Sequence, residues 1–319
     1  MRVVFMGTGE IALPTFQRLA DSVNLVGLVT QPDRPVGRSS KPQPPRIKSQ
    51  ALERSIPVLQ PEDVRCEEEI SAIAALSPEL IVVMAYGQIL TKTLIAVPPL
   101  GCFNIHASLL PRHRGASCIQ AAIAAGDRES GISIIKMVER LDAGDVVMAE
   151  GVRLSADETG GSLHDRLGVM APELTMTCIK RLADNTLTGT PQDHERATYA
   201  PQLQRFDGQL DWGLPAEVLE RRIRAYEPWP GSYTHFKDSR GRTKRMKVFA
   251  EVRISSKVKD APGKVISVAS SGITIACGDG GLVLNELQIE GGKRLSAAEM
   301  TRGNTFEVGK SFFSLVGSP

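Results

Sequence analysis

The stretch "FNIHASLLPRHRG" (103–115) sets Asn104 and His106 two residues apart at the end of an apolar run, and a proline-broken loop follows at once. Residues two apart on an extended strand share a face, so the amide and the imidazole project together while Phe103 and Ile105 turn into packing. Further on, "LDAGD" puts Asp142 at a loop tip between two apolar runs. An amide N–H donates to a developing oxyanion, a histidine moves a proton, and a carboxylate orients that histidine. Such a set suits acyl-type transfer to an amine. The amine attacks a carbonyl, Asn104 and protonated His106 steady the oxyanion, and Asp142 orients the histidine or accepts the proton leaving nitrogen. A free α-amino group titrates at about 7.7–8.0, so neutral amine exists at pH 7 without a strong base. The bland alternative, two buried polar groups that satisfy one another, stays open on these residues alone.

Other chemistries fit less well. Ser108 stands beside His106, but no G-x-S-x-G elbow surrounds it. The five histidines lack H-E-x-x-H or similar ligand spacing, so no metal is expected. "GTGEIA" (7–12) has the form G-x-G-x-x-A of a dinucleotide-binding turn. That fingerprint also needs an acid at the end of the second strand, whereas here that strand ends at Thr30 and Asp33 lies inside a basic loop. A tight glycine turn after a first strand is the simpler reading, and NADH binding would be the sign of a dehydrogenase.

The elements that must hold this set alternate. "RVVFMG", "NLVGLVT", "IPVL", "ELIVVMAYG" and "LGCFNIHAS" read as strands, with helices "EIALPTFQRLA", "PRIKSQALERS", "EEEISAIAAL" and "ASCIQAAIAAG" between or after them. That rhythm argues for an α/β fold: a doubly wound, Rossmann-like, largely parallel sheet. "GISIIKMV" and "VVMAEGVRL" flank "ERLDAGD" as a hairpin-like insertion. A long helix follows, with Leu163, Leu167, Met170, Leu174 and Leu182 on one stripe. Residues 188–206 lack periodicity and read as a linker. Beyond "PAEVLERRIRAY", short strands such as "SYTHF", "RMKVFAEVRI", "GKVISVAS", "GITIACGDG" and "LVLNELQIE" suggest a small OB-like β-barrel. The expected organisation is a catalytic domain over 1–187, the linker, and a barrel domain over 207–319.

Composition sets the class. The chain has 319 residues, 42% hydrophobic and 23% charged, ordinary for a globular protein. No apolar run approaches the roughly 20 residues that span a bilayer, and "MRVVFMGTGE" enters a strand-like run directly. The expectation is a cytoplasmic protein without membrane partners. Five scattered cysteines without a C-x-x-C pair fit reduced thiols. Net charge is only +2, yet 31–48 carries Arg34, Arg38, Lys41, Arg46 and Lys48 against Asp33, and 237–247 carries six basic residues against Asp238. Each cluster is either a solvated loop or the footprint of a polyanion.

The segments "NIHASLLPRHRG" and "LDAGD" resemble the signature of folate-dependent formyltransferases. "FMGTGEIALPTF", "TQPDRPVGR", "VVMAYG", "TYAPQL", "LDW" and "IRAYEPWPGSYT" are similar to the branch that acts on aminoacylated initiator tRNA. The resemblance runs in order from residue 2 to about 290. It implies a Rossmann-like domain, a linker and an OB-like barrel, and formyl transfer from 10-formyltetrahydrofolate, as co-substrate, to the amine of methionyl initiator tRNA. Carried over by position, Asn104, His106 and Asp142 match the catalytic residues. Ser108, Leu109, Leu110 and Pro111 match the loop lining the tetrahydrofolate site, with Tyr86 and Gly87 at its pterin end. Arg34, Arg38 and Lys41 fall on the loop that enters the tRNA acceptor region, and Lys244, Arg245 and Lys247 on the barrel face toward the RNA backbone. The chain departs from the pattern at His113, where tryptophan is usual, and at Cys118, where proline is frequent. His113 reads as a rim residue.

Two relations of this reading stay alive. A sister formyltransferase acting on glycinamide ribonucleotide or an amino-sugar nucleotide would share the catalytic set without needing the 31–48 loop. A non-catalytic RNA-binding protein would keep the basic segments and tolerate loss of His106. A monomer is the default, since no unexplained apolar stripe asks for a partner.

Overall fold

In a computed structural model, which describes residues 1–35, 42–302 and 306–315, the alternating first half builds a seven-stranded sheet. Its strands are β1 (Arg2–Gly7), β2 (Asn24–Val29), β3 (Val58–Leu59), β4 (Leu80–Met84), β5 (Cys102–His106), β6 (Glu129–Lys136) and β7 (Val146–Arg153), in the order β3-β2-β1-β4-β5-β6-β7. The first five are parallel. The last two join as an antiparallel hairpin, as "GISIIKMV" and "VVMAEGVRL" suggest. Every residue of β4 is buried, which is why its sequence is continuously apolar rather than alternating. The winding reverses between β1 and β4, so their carboxyl ends, with that of neighbouring β5, open the crevice in which such sheets bind ligands.

The glycine turn after β1 serves this crevice structurally. The N–H groups of Thr8 and Gly9 donate to Ala85 O at 3.2 and 3.3 Å. A Cβ on Gly7 would stand 2.9 Å from Met84 O. The turn is tight because β4 runs alongside, with no nucleotide needed to explain it. Helix α1 (Leu13–Ser22) buries Leu13, Phe16 and Leu19, and carries Pro14 in its first turn, where a missing N–H costs no helical bond. A core of Val4, Met6, Val29, Ile73, Ile81, Val83, Tyr86, Leu90, Leu94 and Cys102 fills one face of the sheet. In the long helix α2 (Gly160–Ala183), Leu163, Leu167 and Leu174 of the expected stripe are buried, while Met170 and Leu182 are half-buried.

Contacts divide the chain into two units. The first comprises 1–118, 129–153 and 164–201; the second comprises 119–128, 154–163 and 202–319. The second unit is strand-rich and antiparallel. One sheet has five strands, among them β8 (Ser232–Lys237), β9 (Thr243–Val248) and β12 (Glu286–Ile289). The other has four, among them β10 (Val252–Ser255) and β11 (Gly281–Leu284). Both enclose one core that includes Trp212, Leu219, Ile223, Phe236, Met246, Ile275, Leu284 and Phe312. Two apolar runs that read as single strands are split: β9 and β10 lie in different sheets, as do β11 and β12. Residues 249–251 and Asn285 carry the chain across. At the first corner the alternation Met246, Val248, Ala250, Val252 runs on, so the pattern does not betray the break; at the second, the buried positions pass from Leu282 and Leu284 to Leu287, a change of parity at Asn285 and Glu286. Among the described residues no helix is long and apolar enough to cross a membrane.

Candidate active site

At the carboxyl end of β5, Asn104 pairs in register with Val83 of β4 on one side and Ile135 of β6 on the other, while His106 stands opposite Ser133. The period of two places both side chains on one face, and the loop after β6 brings Asp142 to them. Asn104 Nδ2 donates to Asp142 Oδ1 at 3.2 Å. His106 Nδ1 lies 3.6 Å from Asp142 Oδ2, an electrostatic contact too long for a hydrogen bond. The same Oδ2 accepts the Gly115 N–H at 2.8 Å. Asp142 itself sits at φ 47°, a left-handed conformation that a residue with a side chain adopts only when its surroundings demand it.

His106 is 6% exposed and its Nε2 lies 2.9 Å from His113 O. A carbonyl only accepts, so Nε2 carries a proton and Nδ1 is the nitrogen facing Asp142. Burial by itself depresses the imidazole pKa. The Cys118 sulfur hydrogen-bonded to the ring, the Asp142 carboxylate and the His113 carbonyl outweigh it and raise the value to about 9. At neutral pH His106 is therefore a cation, the state that steadies an oxyanion. Asn104 spends one of its two amide protons on Asp142, leaving the other for a ligand.

The loop 108–115 is held from several sides. Ser108 Oγ donates to Arg112 O at 2.8 Å, and Ser133 Oγ bridges Ser108 O (2.8 Å) and Leu110 N (3.0 Å). The Ser108 hydroxyl is thus a structural donor, in line with the missing nucleophile elbow. Leu109 packs over Gly131 and Gly151 of the hairpin, where any Cβ on Gly131 would collide with it and with Glu150 O. Leu110 and Pro111 are half-buried. His113, read from the sequence as a rim residue, is instead 7% exposed with φ 58°: its carbonyl, turned inward to His106, takes the whole residue down with it.

Tyr86 and Gly87 differ in what they present. The Tyr86 ring belongs to the core, burial pushes its phenol pKa up, and its carbonyl accepts from Thr8 Oγ1 and Gln31 Nε2, both at 3.2 Å. Gly87, at φ 93°, is exposed. What this loop offers a ligand is backbone at Gly87, whereas the tyrosine ring anchors the loop from below.

The sequence reading overlooked the segment after α2. Thr190 pairs with Val146 through two bonds of 2.9 Å, Thr198 O accepts from Arg114 N at 2.8 Å, and Ala200 N donates to Arg114 O at 2.7 Å. Residues 190–200, which lack periodicity, are thus an irregular strap pinned to the 113–117 and 142–146 loops. From it Gln192, buried, reaches both Arg114 and the Asp142 loop. Arg114 follows Arg112 and His113, and Gln192 precedes Asp193, His194, Glu195 and Arg196, so nothing in the sequence singles either out.

The basic residues are distributed unevenly. Arg38 and Lys41 lie outside the described residues. Arg34 is 67% exposed and 4.0 Å from Glu62, on a two-residue ribbon. Two other cations of that segment are already engaged: Arg46 pairs with Glu10 and Lys48 with Asp33, each at 2.8 Å. On β9, Arg245 and Lys247 are exposed beside His235 and Tyr233 of β8, with the Arg245 guanidinium 5.4 Å from the Tyr233 ring centre. Lys244 has the opposite parity, shared with buried Met246 and Val248. The three do not form one patch.

Among the described residues no group of histidine, cysteine and carboxylate side chains could hold a metal ion. Residues 1–179 match the family model described as formyl transferase, and 202–305 the model described as formyl transferase, C-terminal domain. A protein of Akkermansia muciniphila named methionyl-tRNA formyltransferase is 48% identical over 95% of this chain and 97% of its own. One of Citrifermentans bemidjiense with the same name is 43% identical over 97% and 95%. Among solved structures, the sugar 3N-formyl transferase WlaRD superposes with a TM-score of 0.63 at 13% identity, over 92% of this chain and 99% of that one. HypX from Aquifex aeolicus, solved with tetrahydrofolic acid, gives 0.59 at 18%, over 94% of this chain, which spans about half of HypX (46%). At such identities these two speak for the fold alone. The family models and the near-full-length relatives settle the rest: the chain belongs to the methionyl-tRNA formyltransferase family.

Proposed function

We propose that the chain transfers the formyl group of 10-formyltetrahydrofolate to the α-amino group of methionyl initiator tRNA. The observation that carries the choice of substrate is that identity of 43–48% to proteins named methionyl-tRNA formyltransferase runs through both halves of the chain. The neutral amine attacks the formyl carbon. The second Asn104 amide proton and the His106 cation stabilise the oxyanion, where donors placed in advance contribute most. As the tetrahedral intermediate collapses, the bond from carbon to N10 breaks, N10 takes a proton, and the amine loses one. Because Nε2 of His106 is committed to the His113 carbonyl, the mobile proton is the one on Nδ1, between ring and Asp142. Asp142 keeps the imidazole charged and takes up the amine proton.

In this reading Ser108, Leu109, Leu110, Pro111 and Gly87 border the folate, with the Tyr86 ring supporting from below. Arg34, Arg38, Lys41, Lys244, Arg245 and Lys247 serve tRNA phosphates. The test is formyl transfer from radiolabelled 10-formyltetrahydrofolate, with methionyl initiator tRNA and small amines offered side by side. Label on the charged tRNA alone is expected. Label on glycinamide ribonucleotide or an amino-sugar nucleotide would move the substrate and keep the chemistry.

A further inference from the structure

Asp142 is held in place by a buried side chain from a distant part of the sequence. Gln192 Nε2 donates to Asp142 O at 2.8 Å and to Gly144 O at 2.7 Å. Its Oε1 accepts from Arg114 Nε at 3.2 Å and Nη2 at 2.7 Å. Both amide protons and both lone pairs are used, which fixes the amide in one orientation. Arg114 is fully buried, and among the described residues no carboxylate pairs with it. Its Nη2 also reaches His194 Nδ1 at 2.9 Å. Since a guanidinium only donates, His194 must carry its proton on Nε2. A dry cation whose partners are a neutral amide, an imidazole and the Tyr199 hydroxyl, none of them a carboxylate, is a poor way to gain stability. Its placement has another use.

The loop that Gln192 grips cannot hold itself. Asp142 is left-handed at φ 47°, and Gly144 passes so close to Lys136 O that a Cβ there would collide. The two gripped carbonyls flank Ala143, so the amide fixes the loop just where it delivers the Asp142 carboxylate. The other end of the clamp, Arg114, immediately precedes Gly115, whose N–H holds the far side of that carboxylate. One hydrogen-bonded ring therefore ties the two loops that set the spacing of Asp142 and His106.

We propose that Gln192 and Arg114 are positioning residues, a clamp that sets Asp142 against His106 for the transfer step without touching substrate. The inference rests on the formyl-transfer reading above. Displacing a reacting group by about 1 Å can cost on the order of 10²-fold in rate. Weakening the clamp should therefore lower kcat about 10- to 100-fold while both KM values stay within about two-fold.

Gln192→Glu separates this role from a structural one. A carboxylate keeps the size and gives Arg114 a charged partner, which offsets part of what the fold loses when two buried carbonyls lose their donor. It offers no N–H to Asp142 O and Gly144 O, so positioning should suffer. The expected result is a protein that still melts cooperatively, with kcat per folded molecule reduced at least ten-fold and an alkaline limb of the kcat–pH profile displaced from that of the wild type. Gln192→Ala should show the same kinetic loss in its folded fraction. Wild-type kcat per folded molecule in Gln192→Glu overturns the clamp, as does a loss that appears only in KM. The wild-type protein in the same assay keeps the two readings apart: if it transfers no formyl group, the function itself is wrong.

Discussion

Asp142 Oδ2 stands 3.6 Å from His106 Nδ1 and 2.8 Å from the N–H of Gly115, so one carboxylate oxygen answers at once to the ring whose charge it sustains and to the backbone that fixes it. The imidazole's other nitrogen is committed to the His113 carbonyl. Proton movement is thereby confined to a single edge of the ring, the edge shared with Asp142.

That arrangement dictates a pH profile. The His106 pKa, raised to about 9, predicts a kcat that holds through neutral pH and falls as the cation deprotonates near 9. The acid side of kcat/KM should follow the amine, at about 7.7–8.0 for an unperturbed α-amino group. Asp142→Asn removes a charge that raises the ring's pKa, so its alkaline fall should begin at lower pH than in the wild type, with kcat reduced throughout. Single-turnover rates between pH 6 and 10 would test this; an alkaline limb unmoved in Asp142→Asn would dissociate the carboxylate from the charge on His106.

The same shift links stability to pH. A folded-state pKa above the ordinary 6.5 means the folded protein binds the proton more tightly than the unfolded chain. The resulting stabilisation is complete below about 6.5 and is lost as pH rises through about 9. Urea unfolding at pH 6 and pH 9.5 should therefore show a larger loss of stability in the wild type than in His106→Asn. Equal losses would mean that the imidazole is not held charged.

Cys118 is the next residue to weigh. Its sulfur lies against the imidazole and contributes to its raised pKa. Cys118→Ala should keep the fold, since a small buried side chain is replaced by a smaller one, and should move the alkaline limb of kcat toward lower pH. An unchanged limb would leave the raised pKa to Asp142 and the His113 carbonyl alone.

Asn104 is expected to act chiefly on turnover. Removing one oxyanion donor costs about 10²–10³ in kcat. Asn104→Ala should fall in that range with little change in either KM, as measured by steady-state formylation. A loss confined to KM would make Asn104 a binding residue instead.

How much of this was legible without coordinates follows from where the information sits. Strand period alone puts Asn104 and His106 on one face, and β5 delivers them so. The apolar run 80–84 gives β4 because a strand covered on both faces has no polar positions to spare. By contrast, the inward turn of His113 depends on a backbone at φ 58°, which no side-chain pattern encodes. The strap at 190–200 is fixed by bonds to residues between 44 (Thr190 to Val146) and 86 (Ala200 to Arg114) positions away in sequence, and irregular backbone has no period to reveal it. The corner at 249–251 was hidden for the opposite reason, since the alternation Met246, Val248, Ala250, Val252 runs through it, whereas at Asn285 the parity changes from Leu282 and Leu284 to Leu287.

The barrel's basic strand gives a last prediction, because its period divides the lysines and arginines that the sequence grouped. Arg245 and Lys247 are exposed on the face they share with half-buried Tyr233 and buried His235, while Lys244 has the parity of the core-facing residues. If that exposed face meets RNA phosphates, each lost contact should reduce the slope of log K against log salt by about one. Arg245→Ala with Lys247→Ala should therefore flatten the salt dependence of methionyl-tRNA binding by about two, and Lys244→Ala by distinctly less than one. Arg34→Ala, 67% exposed with Glu62 4.0 Å away, should flatten it as a single contact does. Filter binding over a salt series reads all four substitutions. Equal slopes for Lys244→Ala and Arg245→Ala would place the RNA somewhere other than on the exposed face of β9.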